Sequence, residues 1–123
     1  MIYAEEGKER DCFIAFTEYA LGILSKEDYA SFLALFDCGM TEQDLLLCLR
    51  YLDESRPVLK IDDPALVKSN DQRIDLFAFR DGSGYHLDYD LTTDGEINDL
   101  TIQVVFQKKE NGYMAMLHDL HTL

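Results

Sequence analysis

The chain has 123 residues, which suits one domain that needs no disulfide or metal staple to bury a core. Its 24 acidic residues against 11 basic ones give a formal charge of −13, which repels nucleic acid and leaves a basic protein as the natural electrostatic partner. A hydrophobic fraction of 47% excludes a disordered chain, and no apolar run approaches the ~20 residues that span a bilayer.

The first ten residues lack a basic start followed by an apolar run, so no signal peptide is expected. Cysteines stand at positions 12, 38 and 48. Their number is odd, their spacing is not that of a redox or zinc pair, and apolar residues surround each. Buried free thiols in a reducing, cytoplasmic compartment fit this usage.

Residues 9–24 place Phe13, Phe16, Ala20, Ile23 and Leu24 at spacings of three and four, which predicts an amphipathic helix weakened at Gly22. Ser25 to Asp28 reads as a variant capping box for a second helix, with Tyr29, Phe32, Leu33 and Phe36 on one face. Cys38 and Gly39 are the expected stop, because glycine tolerates the left-handed cap. Thr41 starts a third helix that runs to about Leu52. Leu45, Leu46, Leu47, Leu49 and Leu52 make it apolar on most sides, so it is expected at the centre. Residues 53–73 hold Pro57 and Pro64 and read as a connection, with a short edge strand expected over 58–61.

From Ile74 the period changes to two. Residues 74–80 read as a strand, followed by a turn at 81–84. Tyr85, Leu87 and Tyr89 alternate with His86, Asp88 and Asp90; Leu100, Ile102, Val104 and Phe106 alternate with more polar neighbours. A second tight turn at 109–112 leads to Tyr113, Ala115 and Leu117. The expected fold is α+β: three N-terminal helices packed on a C-terminal four- to five-stranded antiparallel meander sheet, in a single domain over 1–123. Within it, 1–52 forms the helical layer, 53–73 the connection and 74–123 the sheet.

The stretch from Asp88 to Thr101 invites a chemical reading. Asp90, Thr92, Asp94, Gly95 and Ile97 match the front of an EF-hand calcium loop over 90–101. Position twelve is Thr101, where a bidentate carboxylate is needed, and the flanks alternate like strands instead of helices. An acidic hairpin tip whose carboxylates are solvated and replaceable is the simpler expectation. Asp88, Asp90 and Glu96 offer carboxylate pairs for acid–base work without a sign of enclosure. His118 and His121 sit three apart, which sends them to opposite faces of a strand. A cysteine–histidine nucleophile pair would need a helix thiol to meet a sheet histidine, and buried apolar thiols are inert. No phosphate loop, nucleophile elbow or dinucleotide turn is present. No enzyme activity, cofactor or metal is therefore expected.

Six acids and no Lys or Arg occur between Asp81 and Gln107, with tyrosines among them. The expected partner-binding surface comprises Asp81, Tyr85, His86, Asp88, Asp90, Asp94, Glu96 and Asp99, with aromatic rings giving contact energy and carboxylates giving association rate. The runs from Asp90 to Thr93 and from Asn98 to Thr101, with the ending from Asp119 to Leu123, resemble a group of small bacterial domains with the pattern "DLWT…SDLT…DLHVL". Those domains are similar to cognate immunity proteins of polymorphic or contact-dependent growth inhibition toxins.

The resemblance implies an immunity protein that neutralises a basic toxin domain, a nuclease being the expected class, by blocking its active site. It implies no catalytic residues. The chain would act in the cytoplasm as a monomer or weak homodimer. Two alternatives stand beside it. One is a small-ligand or enzymatic domain with a pocket between helices and sheet, using Tyr85, His86, Asp88 and His118. The other is a weak calcium-binding module at 90–101.

Overall fold

In the computed structural model, which describes residues 1–37 and 39–122, three N-terminal helices pack against a C-terminal four-stranded antiparallel sheet. Helix α1 (Glu9–Ser25) is the central helix. Phe13, Thr17, Ala20, Leu21 and Leu24 are buried along one stripe, as a 3.6-residue period requires. Thr17, the polar member of that stripe, donates its hydroxyl back to the Phe13 carbonyl at 2.9 Å. Glu9 and Asp11 in the first turn favour the positive end of the helix dipole.

Helix α2 (Tyr29–Ala34) is capped by Asp28, whose carboxylate accepts from the Ser31 amide at 3.1 Å. Ser25, the expected cap, instead donates its hydroxyl to the Gly22 carbonyl at 2.6 Å, because α1 runs on through it. Helix α2 ends at Ala34, short of the expected stop; Cys38 lies outside the described residues.

Helix α3 (Glu42–Cys48) starts on the expected Thr41 cap, which accepts from the Asp44 amide at 3.1 Å. It does not reach Leu52 and is not central. Leu45 and Leu49 are buried, Leu46 and Leu47 are only partly covered, and Leu52 is 68% exposed. The physical reason is that Tyr51 and Leu52 adopt the left-handed conformation, with φ of 53° and 61°, which ends helical propagation.

The sheet contains β1 (Ile74–Ala78), β2 (Gly84–Thr93), β3 (Glu96–Lys109) and β4 (Gly112–Thr122) in the order β1-β2-β3-β4. The expected fifth strand over 58–61 does not form. That segment is tied down singly, through Leu59 N–H to the Leu49 carbonyl at 2.8 Å and Asp62 N–H to the Thr92 carbonyl at 3.0 Å, with Ile61 buried between. Leu87, Tyr89, Ile102, Val104, Phe106, Ala115 and Leu120 form the sheet's share of the core. Phe13 stacks on Phe106 with ring centroids 4.1 Å apart and meets Tyr113 edge-on at 4.9 Å. Gly84 opens β2 because a Cβ there would lie 2.0 Å from the Phe106 carbonyl oxygen. Among the described residues, no helix is long and apolar enough to cross a membrane.

Candidate functional site

The eight residues expected to form one partner surface are spread from the β1–β2 turn along the β2–β3 hairpin. Asp81 is exposed in the β1–β2 turn and accepts from the Ser83 amide at 2.9 Å; hydrogen bonding from Ser83 holds its carboxyl below the usual range. Asp94, Glu96 and Asp99 are exposed at the opposite end of β2. Ten residues of strand separate the two groups, roughly 30 Å at ~3.3 Å per residue. Tyr85 is no surface anchor: its ring lies 5.3 Å from Phe13 and packs into the core.

His86, Asp88 and Asp90 share the sheet face away from the helices, yet the two carboxylates are not solvated. Asp88 is buried; it contacts His86 Nε2 at 2.7 Å and accepts from Gln103 Nε2 at 3.0 Å. Asp90 accepts from the Thr101 hydroxyl at 2.8 Å and from the Arg73 amide at 3.0 Å. The Arg73 guanidinium lies 3.6 Å from Asp90 and 4.0 Å from Asp88. Stretch 81–107 contains no base, but β1 brings one to it from outside. Register makes this possible, because β1 pairs antiparallel with β2 and Asp75 stands opposite Asp88.

The turn of the hairpin is two residues, Asp94 and Gly95, with φ of 53° and 82°. Asp-Gly suits this tight hairpin geometry. Its amides point at Asp62 of the connection, whose carboxylate accepts from Asp94 N–H at 3.1 Å, Gly95 N–H at 2.8 Å and the Thr92 hydroxyl at 2.8 Å. The polarity is the reverse of a calcium loop: donors face inward and hold an anion. Among the described residues, no three His, Cys, Asp or Glu side chains are grouped to hold a metal ion.

Beside this turn the backbone is strained. Asp99 has a φ of 69° in a bulge where residues 98–100 oppose Leu91 alone. Among the described residues, five non-glycine positions have positive φ: Tyr51, Leu52, Asp94, Asp99 and Glu27. All but Glu27 meet at this end, because the Tyr51 hydroxyl donates to the Asn98 carbonyl and joins the two loops. Burial, and next the Asp99 carboxylate, push the Tyr51 hydroxyl upward.

The strained loops display two apolar side chains, Leu52 at 68% and Ile97 at 36% exposed. They line neighbouring hollows of about 370 and 310 Å³ that share Leu100 and Thr122. Asp53, Glu54, Asp94, Glu96 and Asp99 are all exposed around them. Arg56, Lys60 and Arg73 are the nearby bases; Arg73 lines the second hollow beside Ile97 and is engaged with Asp75, Asp88 and Asp90, and Arg56 is engaged with Asp53 at 3.7 Å. Sequence reasoning found Asp94, Glu96 and Asp99 from their charge. It missed Leu52, Asp62 and Arg73, whose roles depend on contacts far along the chain.

The first hollow also brings together Cys48, Asp119 and His121. His121 Nδ1 lies 2.8 Å from Asp119 Oδ2 without hydrogen-bond alignment. Burial, then the Asp119 and Asp44 carboxylates, raise the Cys48 thiol, which keeps it protonated and a poor nucleophile. Cys12 is raised by burial and donates to the Tyr3 carbonyl at 3.3 Å. Neither is fully buried and both are free thiols. Of the four residues of the ligand-pocket alternative, Tyr85 packs toward the helices, while His86 lies 2.7 Å from Asp88 and its ring centroid 6.0 Å from that of His118 on the outer face. A separate groove of about 520 Å³ lies between α1 and residues 63–68.

No curated protein and no solved structure matches the chain. The model of one family, described as a domain of unknown function (DUF7668), matches residues 22–123, which takes in the end of α1 and everything that forms the acidic end. The chain belongs to that family.

Proposed function

We propose that the domain is an immunity protein that protects a bacterial cell from a polymorphic or contact-dependent growth inhibition toxin. In this reading it binds a basic toxin domain in the cytoplasm and covers its active site. The single observation that carries the proposal is the strained acidic end. Leu52 and Ile97 stand exposed among five carboxylates on loops held in unfavourable conformations.

Each part has a physical role in such a contact. Exposed apolar side chains supply desolvation energy at the centre, and a rim of one charge sign raises the rate of encounter with an opposite surface. Backbone strain at a surface serves a purpose when it fixes side chains before binding, since less ordering then remains to be done. A nuclease suits the charge, because its phosphate-gripping cleft is basic and a carboxylate-rimmed knob resembles the anion it grips.

The test is to mix the full chain with the toxin domain encoded directly upstream of its gene. A one-to-one complex that elutes together, with protection of cells that express the toxin domain, is the expected result. Separate elution together with unprotected cells overturns the proposal.

A further inference from the structure

Tyr19, Gly22, Ile23 and Lys26 recur at helical spacing along α1 and line one side of the groove of about 520 Å³. Residues 63–68 of the connection line the other side. The two sides touch at Gly22, where a Cβ would lie 3.3 Å from Asp63 Oδ1. The connection holds its own shape there: the Leu66 and Val67 amides both bond the Asp63 carbonyl at 2.9 Å, and the Ala65 amide bonds the Asp63 carboxylate at 3.0 Å. Ile23, Leu66 and Val67 make the walls apolar. Tyr19 is 64% and Leu66 83% exposed, the latter in a turn, where a polar residue is usual. A concave, largely apolar space of roughly 300–1,000 Å³ is the size that takes a small molecule.

We propose that this groove binds a small amphipathic carboxylate, with its apolar chain against Ile23, Leu66 and Val67 and its head at Lys26. Two acids and two lysines line the groove, and their existing partners select the head group. Glu18 already accepts from the Tyr89 hydroxyl at 2.6 Å and pairs with Lys68 at 3.0 Å. Asp63 already accepts from the Ala65 amide and lies against the backbone of Gly22. Lys26 is in no ion pair among the described residues. A cationic ligand would have to displace a partner of Glu18 or loosen the Asp63 turn. A carboxylate at Lys26 displaces nothing and gains a charge-assisted hydrogen bond.

Length fits the same occupant. From Tyr19 to Lys26 the stripe covers seven residues, roughly 10 Å at ~1.5 Å per residue. A short apolar chain laid along the helix reaches from the tyrosine ring to the ammonium. A nucleotide or polyphosphate does not fit, because its several charges would meet Glu18 and Asp63 as well as the lysines. The −13 charge of the chain opposes an anion only at long range, where salt screens it beyond ~8–10 Å, whereas Lys26 acts in contact. Neither Leu52 nor Ile97 lines this groove, and the assignment does not depend on the immunity reading.

The test is titration of the full chain with octanoate, 1-octanol and octylammonium, read by amide chemical shifts. Octanoate is expected to shift Ile23, Lys26, Leu66 and Val67 saturably. Octanol should bind about fivefold more weakly at the same amides, and octylammonium more weakly still. Lys26→Gln, at an exposed site, should bring octanoate down to the affinity of octanol and leave octanol unchanged. Leu66→Ala, also exposed, should weaken both by the same factor while leaving the chain folded. No saturable shift with octanoate overturns the proposal, as do shifts centred on another part of the chain. Octanol or octylammonium bound as tightly as octanoate removes the carboxylate head and overturns it. A Lys26→Gln variant that binds octanoate like wild type overturns it equally.

Discussion

The Tyr89 hydroxyl donates to Glu18 Oε2 at 2.6 Å, bridging β2 and α1 from a ring that is fully buried. Burial, then the bond to Glu18 and its charge, raise the Tyr89 hydroxyl far above its ordinary value. The folded chain therefore keeps a proton that the unfolded chain releases above pH about 10. The stabilisation is complete below that pH and is lost as pH rises beyond it. Tyr89→Phe should cost about 1 kcal/mol near neutrality, because Glu18 retains Lys68 at 3.0 Å and is not left unpaired. In urea unfolding the gap between wild type and Tyr89→Phe should narrow above pH about 10. A gap that does not change with pH contradicts this account.

Asp62 holds the β2–β3 turn from a position more than thirty residues away. Its carboxylate receives two amides and the Thr92 hydroxyl, so Asp62→Ala releases three donors at once. The loss should be about 2 kcal/mol, moderated by water that reaches the exposed part of the turn. Amide exchange should quicken at Asp94 and Gly95 and stay slow at Ile102. Asp62→Asn keeps an accepting oxygen and should fall between the two. Unchanged exchange at the turn in Asp62→Ala would show that Asp-Gly alone sets its shape.

The pattern of Tyr85, Leu87 and Tyr89 against His86, Asp88 and Asp90 made β2 legible in the sequence, as the spacing from Phe13 to Leu24 made α1. Local periodicity is a short-range signal, and both elements follow it. Thr41 was legible as a cap for the same reason. Ser25 misled because a capping residue competes with continuation of the preceding helix, and α1 continued. The leucine run after Thr41 suggested a long central helix, but nothing local announces that Tyr51 and Leu52 turn left-handed. They do so where Tyr51 reaches Asn98, a contact 47 residues distant. The charge of Asp94, Glu96 and Asp99 marked one part of the candidate site. The approach of Arg73 to Asp88 and Asp90 could be seen only once the β1–β2 register was known.

Such engagement separates the carboxylates into two kinds. Asp90 is engaged by Thr101 and by both the amide and guanidinium of Arg73, while Glu96 is exposed with no partner among the described residues. Asp90→Lys should cost about 2 kcal/mol, since it breaks these bonds and sets a cation beside Arg73. Glu96→Lys should stay within about 0.5 kcal/mol of wild type. In a double-mutant cycle, Arg73→Ala and Asp90→Asn should couple by about 1 kcal/mol. Additive losses would mean that the amide of Arg73, and not its guanidinium, holds Asp90.

Leu52 offers the sharpest separation of stability from binding. It is 68% exposed with φ of 61°, so it contributes little to the core while holding a conformation unfavourable for a side chain with a Cβ. The left-handed region costs an ordinary residue about 1–2 kcal/mol, and glycine escapes most of that. Leu52→Gly should raise stability by about 0.5–1 kcal/mol, the gain being reduced by the freedom glycine adds to the unfolded chain. In the proposed immunity role the same change removes an apolar anchor from the acidic end, so affinity for a basic toxin domain should fall by at least about tenfold, mostly through faster dissociation. Replacing Asp94, Glu96 and Asp99 together by asparagine should act on the other rate. Association should slow by about tenfold at low salt and approach wild type at high salt, with dissociation little changed. Calorimetric melting and surface-binding kinetics measure the two quantities independently. If Leu52→Gly stabilises the fold and leaves dissociation untouched, the strain at residues 51–52 serves something other than this contact.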